Sequence, residues 1–416
     1  MLSPADAALV AQDRQVPGLA LLLDADALGA WLGVPVRRRY VRYKPGTGCV
    51  LGLDVAGRRA FVTAHAPEAA GKLSKAVERA PRATLLAVDR SRLVLAARPP
   101  ADRDLPGLGQ LSRDPDRLLR RVLPERDVTG SDLRALSYKP QRRWVGLLTP
   151  AEGEPVVLRV HRPQDAGALV RSAKALERGA GLAAARPTTP RLLGAHARAG
   201  VVAVSWLPGG ALHDLVVRDA ATPDHLRAAG AALAALHARP PGRLAPRTAT
   251  DDAQAVEQAA TAVAGLLPEL GPRARALADA LSALLAADRT PDVTVHGDFS
   301  ADQVVLGPDG TAGLVDLDAV AAGEAALDLG SAVAALVSSA VVGAGQHDGV
   351  ATAEALLDGY AAVAPLPTLD RLDLHVSAAL LRRAAEPFRL CADDWAAQVE
   401  RSLVLAEAHL PTRGHG

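Results

Sequence analysis

The first half of this chain carries the same string of elements twice. Tyr43-Lys44-Pro45 is followed by an apolar run, a Gly turn and Ala60-Phe61-Val62-Thr63-Ala64-His65. Tyr138-Lys139-Pro140 is followed by the apolar residues 145–149, a Gly turn and Val156-Val157-Leu158-Arg159-Val160-His161. Each His leads past a proline into a helical stretch that closes on similar words, Lys75-Ala76-Val77-Glu78-Arg79 and Lys174-Ala175-Leu176-Glu177-Arg178. Further strands follow in both, residues 93–97 and 201–206. The offset is 95 residues at the Tyr-Lys-Pro words and 99 at the helices, so the copies differ by small insertions or deletions. The shared order of strand, turn, strand, helix, strands points to a duplicated α+β unit. Three separate words matching in order distinguish this from chance likeness in a chain rich in Ala and Arg.

The rest of the composition is that of an ordinary globular chain. Its 416 residues, 49% hydrophobic and 22% charged, are enough for two or three packed units. Forty-seven basic against 46 acidic residues leave a net charge of +1, so nucleic acid is not indicated as a partner. Two distant cysteines, Cys49 and Cys391, exclude a disulfide framework and a Cys-based zinc site and suit a reducing cytosol. Residues 1–15 contain acids and no apolar core, so no signal peptide is expected and the location implied is cytoplasmic. The longest uncharged stretch, residues 329–346, is mostly small and weakly apolar. It reads as a buried helix rather than a membrane span, and no membrane partner is expected.

After residue 208 the periodicity becomes helical. Residues 224–237, 251–267 and 272–287 read as helices, separated by Pro268 and by Gly271-Pro272. Strands are then expected at 293–295, 303–306 and 311–315, the last two joined by the turn Pro308-Asp309-Gly310. Helices resume at Ala325, over 370–385 and over 395–408. The hairpin in the middle is where polar residues of functional type gather: His296-Gly297-Asp298-Phe299-Ser300-Ala301-Asp302-Gln303, then Leu314-Val315-Asp316-Leu317-Asp318. Two carboxylates and an amide oxygen facing one cleft are hard oxygen ligands suited to Mg²⁺. Asp298 and Gln303 are five residues apart, and Asp316 follows Asp298 by eighteen. That spacing matches a kinase catalytic loop with its metal-binding amide and a second metal Asp beyond the hairpin. Any one of these acids alone would be read as a turn cap facing solvent.

With these residues the sequence resembles the aminoglycoside phosphotransferase and choline kinase superfamily over residues 128–385. The likeness rests on the His-Gly-Asp loop, the Asp after the hairpin and a downstream Asp in an apolar helix, here Ala325-Ala326-Leu327-Asp328-Leu329. Thr189-Pro190-Arg191-Leu192-Leu193-Gly194, Val204-Ser205-Trp206-Leu207-Pro208-Gly209 and Ala231-Ala232-Leu233-Ala234-Ala235-Leu236-His237 are similar to further words of that superfamily. The resemblance implies an α+β, bilobal, protein-kinase-like fold with an extra N-terminal cap that looks like a degenerate N-lobe. The divisions would be residues 1–116 for the cap, 117–207 for the nucleotide-binding N-lobe and 208–416 for a mainly helical C-lobe. It implies an ATP- and Mg²⁺-dependent phosphotransferase in which Asp298 orients the acceptor hydroxyl and takes its proton. Asp316 would be the principal metal ligand and Gln303 the second, while His296 and Asp328 would fix the loop. Ser205, Trp206 and Leu207 would form the hinge beside the adenine pocket.

Two positions depart from the superfamily's pattern. Gln303 stands where Asn is usual, one methylene longer, as in the maltokinase-like branch. Arg159 replaces the strand Lys that grips ATP phosphates, with Glu177 as its expected partner; Arg keeps the charge but presents a planar fork. Glu177 reads equally well as an exposed helix charge. No Gly-rich phosphate loop precedes Arg159, and Lys139-Pro140-Gln141-Arg142-Arg143 is expected to be a solvated turn. In the first copy Thr63 occupies the place of Arg159, a likeness to the cap of maltokinases and related glucosamine kinases. His213 and His237 are expected at the surface or in packing. The acceptor implied is a small molecule, a sugar or amino sugar, with Glu386, Asp393, Asp394 and Trp395 as candidates to bind it. Otherwise Asp393 or Asp394 caps the helix containing Trp395, whose ring fills core. An aminoglycoside acceptor and a non-catalytic nucleotide-binding pseudokinase are the other readings, and the oligomeric state is not legible.

Overall fold

The computed structural model describes residues 1–179, 188–342 and 348–411. Its contacts divide the chain into two compact units, one of residues 1–170, 192–206 and 387–396, the other of 171–191, 207–386 and 397–416.

The first unit starts with three helices, α1 (Pro4–Gln12), α2 (Leu19–Leu23) and α3 (Ala25–Leu32). Ser3 and Asp24 cap α1 and α3 by accepting backbone N–H bonds from the first turn. Then come β1 (Val36–Lys44), β2 (Gly48–Val55), β3 (Arg58–His65), α4 (Ala70–Arg79), β4 (Leu85–Asp89) and β5 (Val94–Ala97). Helices α5 (Pro106–Arg113) and α6 (Pro115–Val122) lead to β6 (Asp132–Lys139), β7 (Arg143–Thr149), β8 (Val156–His161), α7 (Pro163–Gly179), β9 (Leu192–His196) and β10 (Val201–Ser205). The two five-stranded antiparallel sheets have orders β1-β2-β3-β5-β4 and β6-β7-β8-β10-β9.

The sheets agree in register as well as in order. Tyr43 faces Cys49 as Tyr138 faces Trp144, and Thr63 lies between Val50 and Leu95 as Arg159 lies between Val145 and Val202. The bulges of β4 and β9 coincide, whereas those of β1 and β6 fall two rungs apart. The register slips between Leu85 and Ala87 opposite Ala97 and Ala96, and between Leu192 and Gly194 opposite Val204 and Ala203. A bulge is a local backbone irregularity that no hydropathy pattern demands, so its recurrence at the same rung is strong support for duplication. Both Tyr-Lys-Pro turns are held by a carboxylate from the segment before the sheet. Asp13 Oδ2 accepts from the Tyr43 hydroxyl at 2.7 Å and the Gly46 amide at 2.8 Å. Asp102 Oδ2 accepts from the Tyr138 hydroxyl at 2.8 Å and the Gln141 amide at 2.7 Å.

The second sheet's core includes Tyr138, Trp144, Leu148, Leu158, Val160 and Val201, together with Phe61 and Ala97 of the first sheet. Leu105, Leu108 and Leu111 join the same core, so α5 packs on the second sheet although it lies before residue 117. The Lys139–Arg143 turn is not simply solvated. Pro140 is buried, with a Cβ on Gly52 only 3.0 Å from its ring, and Gln141 Oε1 accepts from Arg42 at 2.5 Å. The Lys139 ammonium stands 5.9 Å from the Tyr40 ring centroid. The first sheet thus covers this turn, an arrangement outside the reach of local composition.

The second unit is mainly helical: α8 (Leu212–Val217), α9 (Pro223–His237), α10 (Ala249–Leu266), α11 (Gly271–Ala286), α12 (Ala325–Val342), α13 (Gly349–Ala361), α14 (Leu369–Arg383), α15 (Glu386–Arg389) and α16 (Trp395–Ala408), with the far part of α7 and with α15 and the start of α16 divided between the units. Thr222 and Thr248 close capping boxes at the starts of α9 and α10. Between α11 and α12 lie β12 (Val293–Val295), β13 (Val304–Leu306), β14 (Ala312–Leu314) and β15 (Ala321–Gly323), and β11 (Gly210–Ala211) pairs with β13. The long uncharged stretch is helical and largely buried up to its described end; residues 343–347 lie outside the described residues. No described helix is long and apolar enough to cross a membrane.

The two carboxylate clamps should differ in weight. Asp102→Ala strands the buried Tyr138 hydroxyl and the Gln141 amide, at about 1–3 kcal/mol for each orphaned group. Asp13→Ala should cost less, because Tyr43 and Gly46 still reach water. Urea unfolding of the whole chain measures both, and wild-type stability in Asp102→Ala would contradict the clamp.

Candidate active site

The hairpin β13–β14 is built by pairing Val304 with Leu314 and Leu306 with Ala312, and its turn is closed by Asp309 Oδ1, which accepts from the Thr311 amide at 3.1 Å and hydroxyl at 2.6 Å. Before it, the loop leaves β12 at His296. The His296 side chain is fully buried, and its Nε2 donates to the Val315 carbonyl at 2.8 Å, linking the loop to the strand exit that precedes Asp316. Gly297 has φ +85°, and a Cβ there would lie 2.3 Å from the Ala319 carbonyl oxygen, so only glycine fits this corner.

One carboxylate fixes the corner. Asp328 Oδ2 accepts from the His296 amide at 2.6 Å and Oδ1 from the Gly297 amide at 2.8 Å. His237 Nε2 adds a third bond to Oδ2 at 3.0 Å, and His237 Nδ1 meets the Tyr360 hydroxyl at 2.9 Å. An ionised carboxylate only accepts, so Nε2 carries the proton and Nδ1 takes the tyrosine's. Burial alone would push the Asp328 carboxyl up, but the bonds from His237 and the His296 amide hold it below the ordinary range. Burial and the Asp328 charge push Tyr360 up to about 12.

Asp298, the next residue, is open to solvent. The protein packed around it nevertheless raises its carboxyl above the usual aspartate range, opposed by Arg383 and His296 and aided by Asp302. Its solvent access keeps that effect modest. Gln303 is buried, and its Nε2 donates to Asp302 Oδ2 at 3.2 Å, which leaves the amide carbonyl oxygen as its free coordinating end. Asp302 also accepts from the Ser300 hydroxyl. Asp316 sits in the left-handed region at φ +64°, uncommon for a residue with a side chain and frequent at functional turns. The donor set of one carboxylate and one amide oxygen fits a hard cation. Among the described residues no three His, Cys, Asp or Glu side chains gather to hold a metal by themselves, so a Mg²⁺ there would draw other ligands from water and phosphate. The same unit contains a cavity of about 340 Å³ lined by residues that include Thr188, Leu207, Pro208, Val305, Thr311 and Gly313.

Other expected site residues are placed elsewhere. Arg159 is half-buried in the middle of β8 in the first unit, and Ser205 and Trp206 close β10 in that unit. Glu177 is exposed on the part of α7 belonging to the second unit. Thr63, at the rung of Arg159, is 3% exposed, and its hydroxyl has no partner among the described residues. The acceptor candidates need correction. Trp395 is buried, its Nε1 donates to Asp6 Oδ1 at 3.0 Å and its ring meets Phe388 edge-on at 5.0 Å, so no indole face is offered to a sugar. Asp393 and Asp394 are exposed in the first unit, and Glu386, in the second, pairs with Arg383 at 2.9 Å. The alternative in which the indole fills core is the one realised.

The family model described as the phosphotransferase enzyme family matches residues 139–397. The chain belongs to the phosphotransferase enzyme family. This phosphotransferase is similar in fold to a choline kinase from Cryptosporidium parvum Iowa II, at 9% identity and TM-score 0.53, over 72% of this chain and 95% of that one. It is similar in fold to amicoumacin kinase hAmiN, solved with AMP-PNP, Ca²⁺ and Ami, at 13% identity and TM-score 0.53, over 71% and 92%. A macrolide 2′-phosphotransferase, MphH from Brachybacterium faecium, aligns at 21% identity and TM-score 0.47, over 73% and 99%. No curated protein matches. The α+β, protein-kinase-like fold of this phosphotransferase is therefore shown.

The sequence did not reveal a second polar centre of this phosphotransferase. Glu324 accepts from the Thr290 amide at 2.7 Å and from Arg371, whose Nη1 also donates to the Ala287 carbonyl at 2.9 Å, beyond the end of α11. Burial opposes its ionisation, but His375, Arg371 and the Thr290 amide hold Glu324 well below the carboxylate range. The only advance signal was an acid directly before an apolar helix.

Carboxyl ¹³C NMR of Asp298 and Asp328 tests these electrostatics. Asp298 should titrate above the ordinary value of about 3.9 and Asp328 below it. Arg383→Gln should raise Asp298 further, since Arg383 is the foremost charge holding it down. Asp298 titrating below Asp328 would contradict the assignment.

Proposed function

We propose that this phosphotransferase moves the γ-phosphoryl group of ATP, with Mg²⁺, to a hydroxyl of a small molecule of the sugar class. The observation that carries the reading is Asp298 in a loop pinned at His296 and Gly297 by Asp328, with Gln303 and Asp316 at kinase spacing around one hairpin. Asp298 orients the acceptor hydroxyl and takes its proton as the oxygen attacks phosphorus. Its raised affinity for a proton suits that task, because a base poised nearer neutrality accepts a proton more readily. Asp316 and Gln303 would hold the Mg²⁺, which offsets charge on the phosphate oxygens. Arg159 supplies a fixed fork for phosphate, and the cavity wall of Leu207 and Val305 offers a flat base an apolar surface. The transition state is loose, so positioning and charge neutralisation do most of the work. The first sheet serves as a cap without nucleotide, since Thr63 gives it no cation at the rung of Arg159. The amino-sugar version of the acceptor rests on Asp393 or Asp394 as partner of an ammonium, and the buried Trp395 offers it no stacking face.

Asp298→Asn should keep MgATP binding near wild type in calorimetry while turnover falls about 10²- to 10⁴-fold. Asp316→Ala should weaken MgATP binding more than Gln303→Ala, because a carboxylate holds a hard dication better than an amide. Unchanged turnover in Asp298→Asn under saturating substrates would overturn the reading, and the reverse order at the metal would exchange those two roles.

A further inference from the structure

Two guanidinium groups, those of Arg382 and Arg383, act on the Asp298 carboxyl alongside Asp302. Helix α14 packs closely on α12: a Cβ on Gly330 would lie 2.6 Å from the Cβ of His375. One turn and two turns on, Ala378 and Arg382 border a small cleft shared with Leu327. Leu327 precedes Asp328, which grips the amide of Gly297, and Asp298 follows. The last turn of α14, with Arg382 and Arg383, therefore lies at the loop that carries Asp298. Both guanidinium charges bear on the Asp298 carboxyl, Arg383 the more strongly.

The two arginines are differently committed. Arg383 pairs with Glu386 at 2.9 Å and has a buried Nε without a partner among the described residues. Arg382 makes no hydrogen bond or ion pair with any described residue. The nearest acid on its other side, Asp252, lines the same cleft but is bonded to Arg247 at 2.8 Å and lies 3.8 Å from Arg289. Burial and the Arg247 charge both press on the charged form of Arg382, yet a guanidinium does not give up its proton in a protein. Asp252 and Asp298 act on Arg382 without pairing with it, so its charge is only partly offset, and an anion arriving with the substrate offsets the rest.

We propose that the acceptor carries a carboxylate, held by Arg382 with Arg383 beside it, and presents a hydroxyl to Asp298; its class is a hydroxy acid such as a sugar acid. This rests on the phosphotransferase reading above. The hydroxyl oxygen bonds to the γ-phosphorus, the bond to the β–γ bridging oxygen breaks, ADP leaves, and the hydroxyl proton passes to Asp298. The product is a phosphate monoester of the acid. An ammonium placed against Arg382 and Arg383 would meet like charge, so amino sugars and polycationic aminoglycosides are disfavoured.

The test has a binding arm and a turnover arm. In calorimetry with MgADP present, glucuronate, gluconate and glycerate should include a compound that binds at least 10-fold tighter than glucose, while glucosamine binds no tighter than glucose. Glucose 6-phosphate separates a carboxylate site from a phosphate site and should bind more weakly than the best acid. Arg382→Gln should weaken the acid about 10- to 100-fold and leave MgATP binding and glucose unaffected, as expected for a lost charged hydrogen bond. Arg382→Lys should restore part of the loss. In the turnover arm, ³¹P NMR should show the ester of the acid that binds best. Glucosamine or an aminoglycoside outbinding every acid, no acid binding, glucose 6-phosphate preferred, or an Arg382→Gln effect confined to the pH profile of kcat would each overturn the proposal. Acid binding that depends on Arg382, without any phosphate ester, would keep the anion site and reject phosphoryl transfer.

Discussion

Asp328 accepts three N–H bonds from two separate elements, the amides of His296 and Gly297 and the ring of His237. The residue is fully buried at the start of α12, so a missing donor would leave a desolvated charge exposed to nothing but apolar atoms. That is why the loop has a single conformation available to it. The corner at Gly297 cannot accept a side chain, His296 is tied to Val315, and Asp298 projects from a site whose backbone is fixed on both sides. Under the proposed function Asp298 must be held within a few tenths of an ångström, and the buried network restrains the backbone that leads into it.

The first unit solves a different problem with the same device. A carboxylate before each sheet receives a tyrosine hydroxyl and a turn amide, and the bulges of β4 and β9 fall at the same rung. What the copies do not share is the residue at the middle of the third strand, where a buried Thr63 replaces a half-exposed Arg159. The second copy's turn, Lys139 to Arg143, is itself covered by the first sheet through Gly52, Arg42 and Tyr40. A chain lacking a glycine-rich phosphate loop thereby gains a turn whose shape is fixed from outside.

Much of this was legible in the sequence where the determinants are local. The β13–β14 hairpin follows from apolar runs around Pro308-Asp309-Gly310, and the helices α9 to α11 from periodicity bounded by Pro223, Pro268 and Gly271-Pro272. Of the duplicated words, Tyr-Lys-Pro falls at a tight turn in both sheets, and the others fall in the third strand and the helix that follows it. Long-range partnerships were not legible. His237 read as a packing or surface residue because its partners Asp328 and Tyr360 lie 91 and 123 residues away. Trp395 stayed open between binding the acceptor and filling core because its hydrogen-bond partner, Asp6, is 389 residues distant. The place of α5 on the second sheet depends on a close approach at Gly107, where a Cβ would meet the Ala199 carbonyl at 2.7 Å. None of these contacts leaves a mark on periodicity or composition.

The central claim is that Asp328 holds the loop from which Asp298 works. Amide hydrogen exchange at His296 and Gly297 measures it directly, in wild type and in Asp328→Asn, with the amides of α9 and α14 as controls for the fold. Both loop amides should be strongly protected in wild type and exchange far faster in the variant while the control helices stay protected. Loop amides that exchange equally in both proteins would contradict the account.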